Sequence, residues 1–252
     1  LVTKVMKGVD FVFHEAAIRI TQCAQDPREC FNSMFLGTFN ILEAAVEQKI
    51  KKIIFASSAS VYGEPSYLPI DEKHPFNNNT LYGAAKIANE QMLRSFFETY
   101  NLKYIVLRYF NVYGPRMDIF GVYTEVMIRW LDSIERGESP ILFGDGTKAM
   151  DFVFVKDVAR ANILALEANV NCGVFNIGSG KETSLRELLN LIIRIKEAPL
   201  KPIYKPERKV NSVKRRRAHI ELARKKLGFK PQVGLKEGLM ELIRWKDDLR
   251  NG

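Results

Sequence analysis

Two rhythms of apolar and polar positions alternate along this chain, and each change of rhythm marks an element. Val9-Asp10-Phe11-Val12-Phe13, Lys51-Lys52-Ile53-Ile54-Phe55-Ala56 and Tyr104-Ile105-Val106-Leu107-Arg108 are short apolar runs. Their length and their β-branched and aromatic content predict strands of a buried parallel sheet. Between them apolar residues recur every three or four positions. Phe31, Phe35, Phe39, Leu42 and Val46 form such a stripe within a helical stretch from Pro27 to Gln48. Gly37-Thr38 interrupts that helix. Glycine there costs about 1 kcal/mol against alanine, so close packing on a neighbour is expected. A second helix runs from Tyr82 to about Tyr100, with Asn77-Asn78-Asn79-Thr80 as its cap. Strand, helix, strand, helix, strand, with helices long enough to cross over, predicts an α/β fold built on a doubly wound parallel sheet.

The pattern changes after Gly114-Pro115-Arg116. A helix is predicted from Thr124 to Glu135, and short strands at Ile141-Leu142-Phe143 and Asp151–Val155. A helix over Val158–Ala168, a strand over Val174–Ile177 and a helix over Ser184–Lys196 follow, the last with Ser184 and Glu187 as a capping box. A basic, proline-containing segment (199–219) and two final helices close the chain. Residues 1–115 thus read as one domain and 116–252 as mainly a smaller α/β lobe, with about 150–177 returning to the first.

Composition narrows the class. Of 252 residues, 46% are hydrophobic and 27% charged, the profile of a globular chain. No apolar run approaches the roughly 20 residues that span a bilayer. Cys23, Cys30 and Cys172 form no CxxC pair, and His14, His74 and His219 make no zinc motif, so no metal is expected. So sparse a cysteine set predicts reduced, inert thiols and a cytoplasmic protein. The net charge is +9, much of it in Lys214-Arg215-Arg216-Arg217 and its neighbours. Such a surplus suits an anionic ligand, either a phosphate ester or nucleic acid.

The chemistry centres on Leu81-Tyr82-Gly83-Ala84-Ala85-Lys86. Four residues apart on a helix, Tyr82 and Lys86 share a face. A phenol ionises near pH 10, and an ammonium beside it favours the phenolate, making the tyrosine able to exchange a proton with a hydroxyl. Around this pair stand His14-Glu15-Ala16-Ala17, Gly37-Thr38-Phe39-Asn40 and the hydroxyl-rich strand end Ser57-Ser58-Ala59-Ser60-Val61-Tyr62-Gly63. Leu107-Arg108-Tyr109-Phe110-Asn111-Val112-Tyr113-Gly114-Pro115-Arg116, Gly144-Asp145-Gly146, Asp151-Phe152 and Asn176-Ile177-Gly178-Ser179-Gly180 follow.

In this order the pieces resemble the extended short-chain dehydrogenase/reductase family, specifically its nucleotide-sugar epimerases and dehydratases. The resemblance covers the whole chain and implies a Rossmann-like, NAD-binding domain with a substrate-binding lobe. It implies that Tyr82 is the acid/base, that Lys86 supports it and binds the nicotinamide ribose, and that Ser58 hydrogen-bonds the reacting sugar oxygen. Ala16, Ala17, Ser57, Tyr109 and Phe110 would lie at the cofactor. Ser60 and Asn111 would meet the substrate. The family usually dimerises through helices that here span roughly 29–48 and 82–100.

The chain departs from the family pattern in four ways. The glycine-rich dinucleotide loop is absent, which reads as an incomplete chain lacking the first two strand–helix units. Met34 replaces an asparagine near the ribose. Met150 stands where many members carry an arginine for the diphosphate, which leaves Arg116, Arg208 and Arg216 as candidate cations. Ala59-Ser60 replaces the acidic pair of the sugar dehydratases. The resemblance therefore implies an NAD-dependent epimerase of a nucleoside-diphosphate sugar, a UDP-sugar 4-epimerase first. A nucleotide-sugar dehydrogenase, reductase or decarboxylase is the alternative within the enzymes. A catalytically silent nucleic-acid-binding or scaffold protein on the same fold is the alternative from another class.

Overall fold

The computed structural model describes residues 1–119, 126–207 and 213–251. Its central sheet has four parallel strands in the order β1 (Phe11–His14), β2 (Lys52–Ser58), β3 (Tyr104–Tyr109) and β4 (Cys172–Ile177). Ile53 sits beside Tyr104, and Tyr104 beside Cys172, so the carboxyl ends of the strands rise together. From Lys52 to Ser57 every residue of β2 is buried, as a central parallel strand requires. β1 differs from its expected burial. Among the described residues it has one strand neighbour, and Phe11 and Phe13 are each 41% exposed.

Helices cover both faces. On one face α1 (Gly37–Glu47) and α2 (Leu81–Tyr100) press Leu42, Ala45 and Leu93 against Ile53, Phe55 and Val106. On the other, α3 (Val155–Glu167) sets Val158, Ala161 and Ala165 against Ile54, Ile105 and Leu107. Alternation along the strands produces this split: successive side chains point to opposite faces. Ala223, Leu227 and Phe229 join the second face, which the sequence pattern did not foresee. A separate cluster packs the helices Val126–Glu135, Leu185–Ile195 and Leu235–Asn251 through Trp130, Leu131, Leu188, Leu189, Leu239 and Leu242. The expected capping box forms at Ser184 and Glu187.

Two local expectations need correction. Gly37 is not pinned by a neighbour, because a Cβ there would meet only the Asn32 carbonyl at an ordinary 3.5 Å. Instead the helix changes width: Phe31–Leu36 is a π-helix, and the regular α-helix resumes at Gly37. Cys23 and Cys30 are not reduced thiols. Asp26 and Pro27 break the helix between them, bringing their Cα atoms to 4.8 Å, and the two sulfurs are bonded. Cys172 is free and exposed. No described helix is long and apolar enough to cross a membrane.

Candidate active site

The carboxyl ends of β1, β2 and β3 meet the first turns of α2. Thr80 caps α2, its Oγ1 accepting from the Gly83 N–H at 3.1 Å, and Asn78 binds Thr80 in turn. Gly83 permits this closeness. A Cβ there would fall 2.0 Å from Asn78 Oδ1 and 2.9 Å from the Ser60 carbonyl. The first turn of α2 is thereby pressed onto the turn that ends β2.

That turn carries two hydroxyls. Ser58 caps the short 3₁₀-helix Ala59–Tyr62, accepting from the Ser60 N–H at 3.1 Å, and its Oγ lies 3.1 Å from Ser60 Oγ. The Ser58 side chain also lies close enough to the Tyr82 hydroxyl to favour its ionised form. Three groups named from sequence, Ser58, Ser60 and Tyr82, are therefore brought together at this strand end.

Lys86 lies one turn along, 2% exposed. Its Nζ donates to the Ala56 carbonyl at 2.5 Å and lies 4.9 Å from the Phe55 ring centre and 5.8 Å from that of Tyr82. Burial lowers its pKa to about 8, while Glu15 and Glu90 pull the other way. Burial pushes the pKa of the Tyr82 phenol up, and the Ser58 side chain opposes it only in part. The ammonium lies against the Ala56 carbonyl and near the rings of Phe55 and Tyr82, and with burial the larger effect Tyr82 rests as the neutral phenol.

The other sequence-named residues divide. Ala16 and Ala17 are exposed just past β1. The Tyr109 hydroxyl donates to Glu15 at 3.1 Å and accepts from Asn162 at 2.7 Å, and burial raises its pKa. Ser57 does not face this cleft. Its hydroxyl turns inward and donates to Glu90 at 2.5 Å. Phe110 is core, 4% exposed among Ala59, Val61, Tyr62, Ile70 and Ala218. Asn111 is partly buried, its N–H bonded to the Asp151 carbonyl at 3.0 Å.

Of the three candidate cations, Arg208 lies outside the described residues. Arg116 is exposed, with a left-handed φ of 68°, and lines a groove with Val112, Lys156, Glu241 and Trp245 that includes none of Ser58, Tyr82 and Lys86. Arg216 is different. Its N–H donates to the Ala149 carbonyl at 2.9 Å, which sets it beside Met150. Its Nε is buried with no hydrogen-bond partner among the described residues, and burial lowers its pKa to about 10 against the pull of Glu64. Arg215, next in line, pairs outward with Glu182 at 2.6 Å. A desolvated guanidinium with an unmet donor suits an anion.

Sequence reasoning missed Glu15 as the partner of Tyr109 and Glu90 as the partner of Ser57. Glu90 had a signal: it lies one further turn along the Tyr82 and Lys86 face. The site suits a nicotinamide cofactor in one respect visible here. Lys86 carries three donors and spends one on Ala56, so its ammonium can also serve a diol such as a ribose. Small residues at the strand ends leave room for a ligand to approach the backbone. Among the described residues no cluster could hold a metal ion.

The family described as NAD dependent epimerase/dehydratase matches residues 1–178. A putative UDP-glucose 4-epimerase of Methanocaldococcus jannaschii is 41% identical over 241 residues, covering 95% of this chain and 77% of that protein. The UDP-glucose 4-epimerase of Thermotoga maritima, solved with UDP-glucose, superposes with a TM-score of 0.94 at 35% identity, over 99% of this chain and 81% of that one. The UDP-glucose 4-epimerase of Thermus thermophilus, solved with NAD, gives a TM-score of 0.87 at 30% identity, over 97% and 80%.

Proposed function

Because this chain belongs to the NAD-dependent epimerase/dehydratase family, we propose that it inverts C4 of a UDP-sugar, with Tyr82, Ser58 and Lys86 as its reactive set. The observation that carries this is the convergence of Tyr82 and Ser58 at the carboxyl ends of the strands, with a buried Lys86 one turn away, its Nζ 5.8 Å from the Tyr82 ring centre. Proteins similar over most of the chain include a putative UDP-glucose 4-epimerase and a UDP-glucose 4-epimerase solved with UDP-glucose.

Bound NAD would supply the hydride acceptor, and Lys86, Ala16, Ala17 and Tyr109 are the residues to hold it. The chain's own part is proton handling and orientation. Ser58 and Tyr82 receive the sugar hydroxyl between them. In its phenolate form Tyr82 takes its proton as the carbinol becomes a ketone, and returns that proton once the sugar has presented its other face. Resting as a neutral phenol, Tyr82 needs the nearby positive charge of Lys86 to act as base. Ser60 and Asn111 would touch the substrate. Arg216 would take the diphosphate, at the place where Met150 offers no charge. The positive face that Arg216 belongs to fits a dianionic ligand.

The enzyme would act as a homodimer through α1, the π-helix that precedes it and α2, whose outer faces expose Phe31, Leu36, Phe39 and Tyr100 by 39–57%. Three cysteines are too few for a secreted disulfide framework, so the cytoplasm is the compartment. The one bonded pair is shielded there, with Cys23 and Cys30 at most 1% exposed.

The test is interconversion of UDP-glucose and UDP-galactose by the full chain with NAD⁺, beside GDP- and dTDP-sugars. Turnover without net NADH is expected, falling about 10²–10⁴-fold in Tyr82→Phe. Arg216→Met should raise KM more than it lowers kcat. No interconversion of any sugar overturns the reading, and net NADH production converts it to a dehydrogenase.

A further inference from the structure

The inner face of α2 carries three polar side chains in succession, Tyr82, Lys86 and Glu90. The proposed reaction uses the first two and leaves Glu90 unexplained. Yet Glu90 is 3% exposed and its carboxylate is fully engaged. Oε1 accepts from Ser57 Oγ at 2.5 Å and Arg108 Nε at 3.0 Å, and Oε2 accepts from Arg108 at 2.6 Å. Arg108 continues to the Tyr62 hydroxyl at 2.8 Å and the Glu72 carbonyl at 3.2 Å. One carboxylate thus ties α2 to β2, to β3 and to the turn that begins at Ser58.

Stability alone is a poor reason for such a group. A buried ion pair is often no better than apolar residues of the same volume, because both charges lose their water. Its position gives a better reason. We infer that Glu90 is a positioning residue: its fork with Arg108 and its bond from Ser57 set α2 in register over β2, and its charge balances the ammonium of Lys86 one turn away. The groups facing Lys86 are Glu15 and His14 from the end of β1, Phe55 and Ala56 of β2, and Tyr82 and Glu90 of its own helix. Arg108 stands behind Glu90. Only Glu15 and Glu90 raise the affinity of Lys86 for its proton. Glu15 is partly committed to Tyr109 and sits in an exposed loop, which leaves Glu90 as the fixed counter-charge. Without it, Lys86 gives up its proton at lower pH, and the charge that Tyr82 depends on goes with it.

Which substrate is turned over rests on the epimerase reading, but the ionisation of Lys86 does not. The experiment compares Glu90→Gln, which keeps the shape, with Glu90→Asp, which keeps the charge, in the full chain. The titration of Lys86 is followed by NMR of ¹³C-labelled lysine, beside the pH profile of kcat/KM. In Glu90→Gln the Lys86 midpoint should fall by about one pH unit or more, and the alkaline limb of kcat/KM should move with it. In Glu90→Asp both should stay within about half a unit of wild type. A purely structural Glu90 would lower Tm in both variants and leave the midpoint in place. If Glu90→Gln does not fold, Glu90→Gln with Arg108→Met is compared with Arg108→Met alone, so that only the carboxylate's charge differs, and the Lys86 midpoint should again be lower in the variant without that charge. An unmoved midpoint in whichever of these folds overturns the inference. The NMR midpoint needs no turnover, so an inactive wild type would sink the epimerase reading and leave this one standing.

Discussion

Lys86 shows what the site asks of a single residue. Its folded pKa of about 8 lies below the ordinary 10.5. Between those values the unfolded chain binds more protons than the folded one, so this lysine makes stability rise with pH from about 8 to 10.5. Below pH 8 both states are protonated and the burial penalty stands in full. Wild type should therefore gain about 2 kcal/mol on Lys86→Met between pH 7.5 and 10. Urea titrations of both proteins across that range check this, and a flat difference refutes the buried charge. That Tyr82 and Lys86 share a helix face was legible from their spacing, and the family resemblance pointed to Ser58 beside them. Ser57 misled, although the physics to place it was at hand. Adjacent residues of a strand point to opposite faces, so with Ser58 in the cleft, Ser57 had to face away. Arg216 could be named only as one basic residue in a run, since nothing in Arg215-Arg216-Arg217 says which side chain loses its water.

At the scale of elements, hydrophobic rhythm placed the strands of the central sheet to within about two residues, the usual uncertainty at element ends. It failed where an element's surroundings decide. Phe11 and Phe13 read as buried because an apolar run says nothing of how many neighbours a strand will have. The same limit applies to the aromatic stripe of α1 and α2. Phe97 turns edge-on to Tyr104 and packs inward, whereas Phe39 meets Phe96 edge-on, and the Phe96 ring lies tilted against that of exposed Tyr100. This outer band is the face proposed for the dimer. A charge placed in it would be desolvated on association, at a cost of several kcal/mol. Phe39→Asp should therefore turn a dimer into a monomer in sedimentation while leaving the far-UV spectrum intact. A wild type that sediments as a monomer at micromolar concentration would refute the interface.

At the scale of the whole molecule, the sheet and the segment bearing Arg216 are joined by one carboxylate. Asp151 is fully buried and follows Met150. Its oxygens accept from the Ser179 N–H at 2.6 Å, the Ser179 hydroxyl at 2.7 Å, the Gly180 N–H at 2.9 Å and the Ala218 N–H at 3.0 Å. The loop leaving β4 and the segment ending at Ala218 therefore converge on one side chain. Gly178 lets them close, because a Cβ there would lie 2.7 Å from that of Ala218 and 3.0 Å from an Asp151 oxygen. In sequence these were three separate pieces, Asp151-Phe152, Gly178-Ser179-Gly180 and a basic run. No local rule connects residues so far apart, and only the fold shows why they belong together. Asparagine at 151 keeps one acceptor but turns an N–H₂ toward backbone donors. Hydrogen bonds to a buried charge are worth about 1.5–3 kcal/mol each, and the orphaned donors add their own cost. Asp151→Asn should thus destabilise the protein by about 3 kcal/mol or more in urea. It should also weaken UDP binding through the displacement of Arg216, more than Arg215→Ala does, since Arg215 pairs at the surface. Calorimetric titration with UDP measures the difference, and equal affinities in the two variants would mean that this joint does not position Arg216.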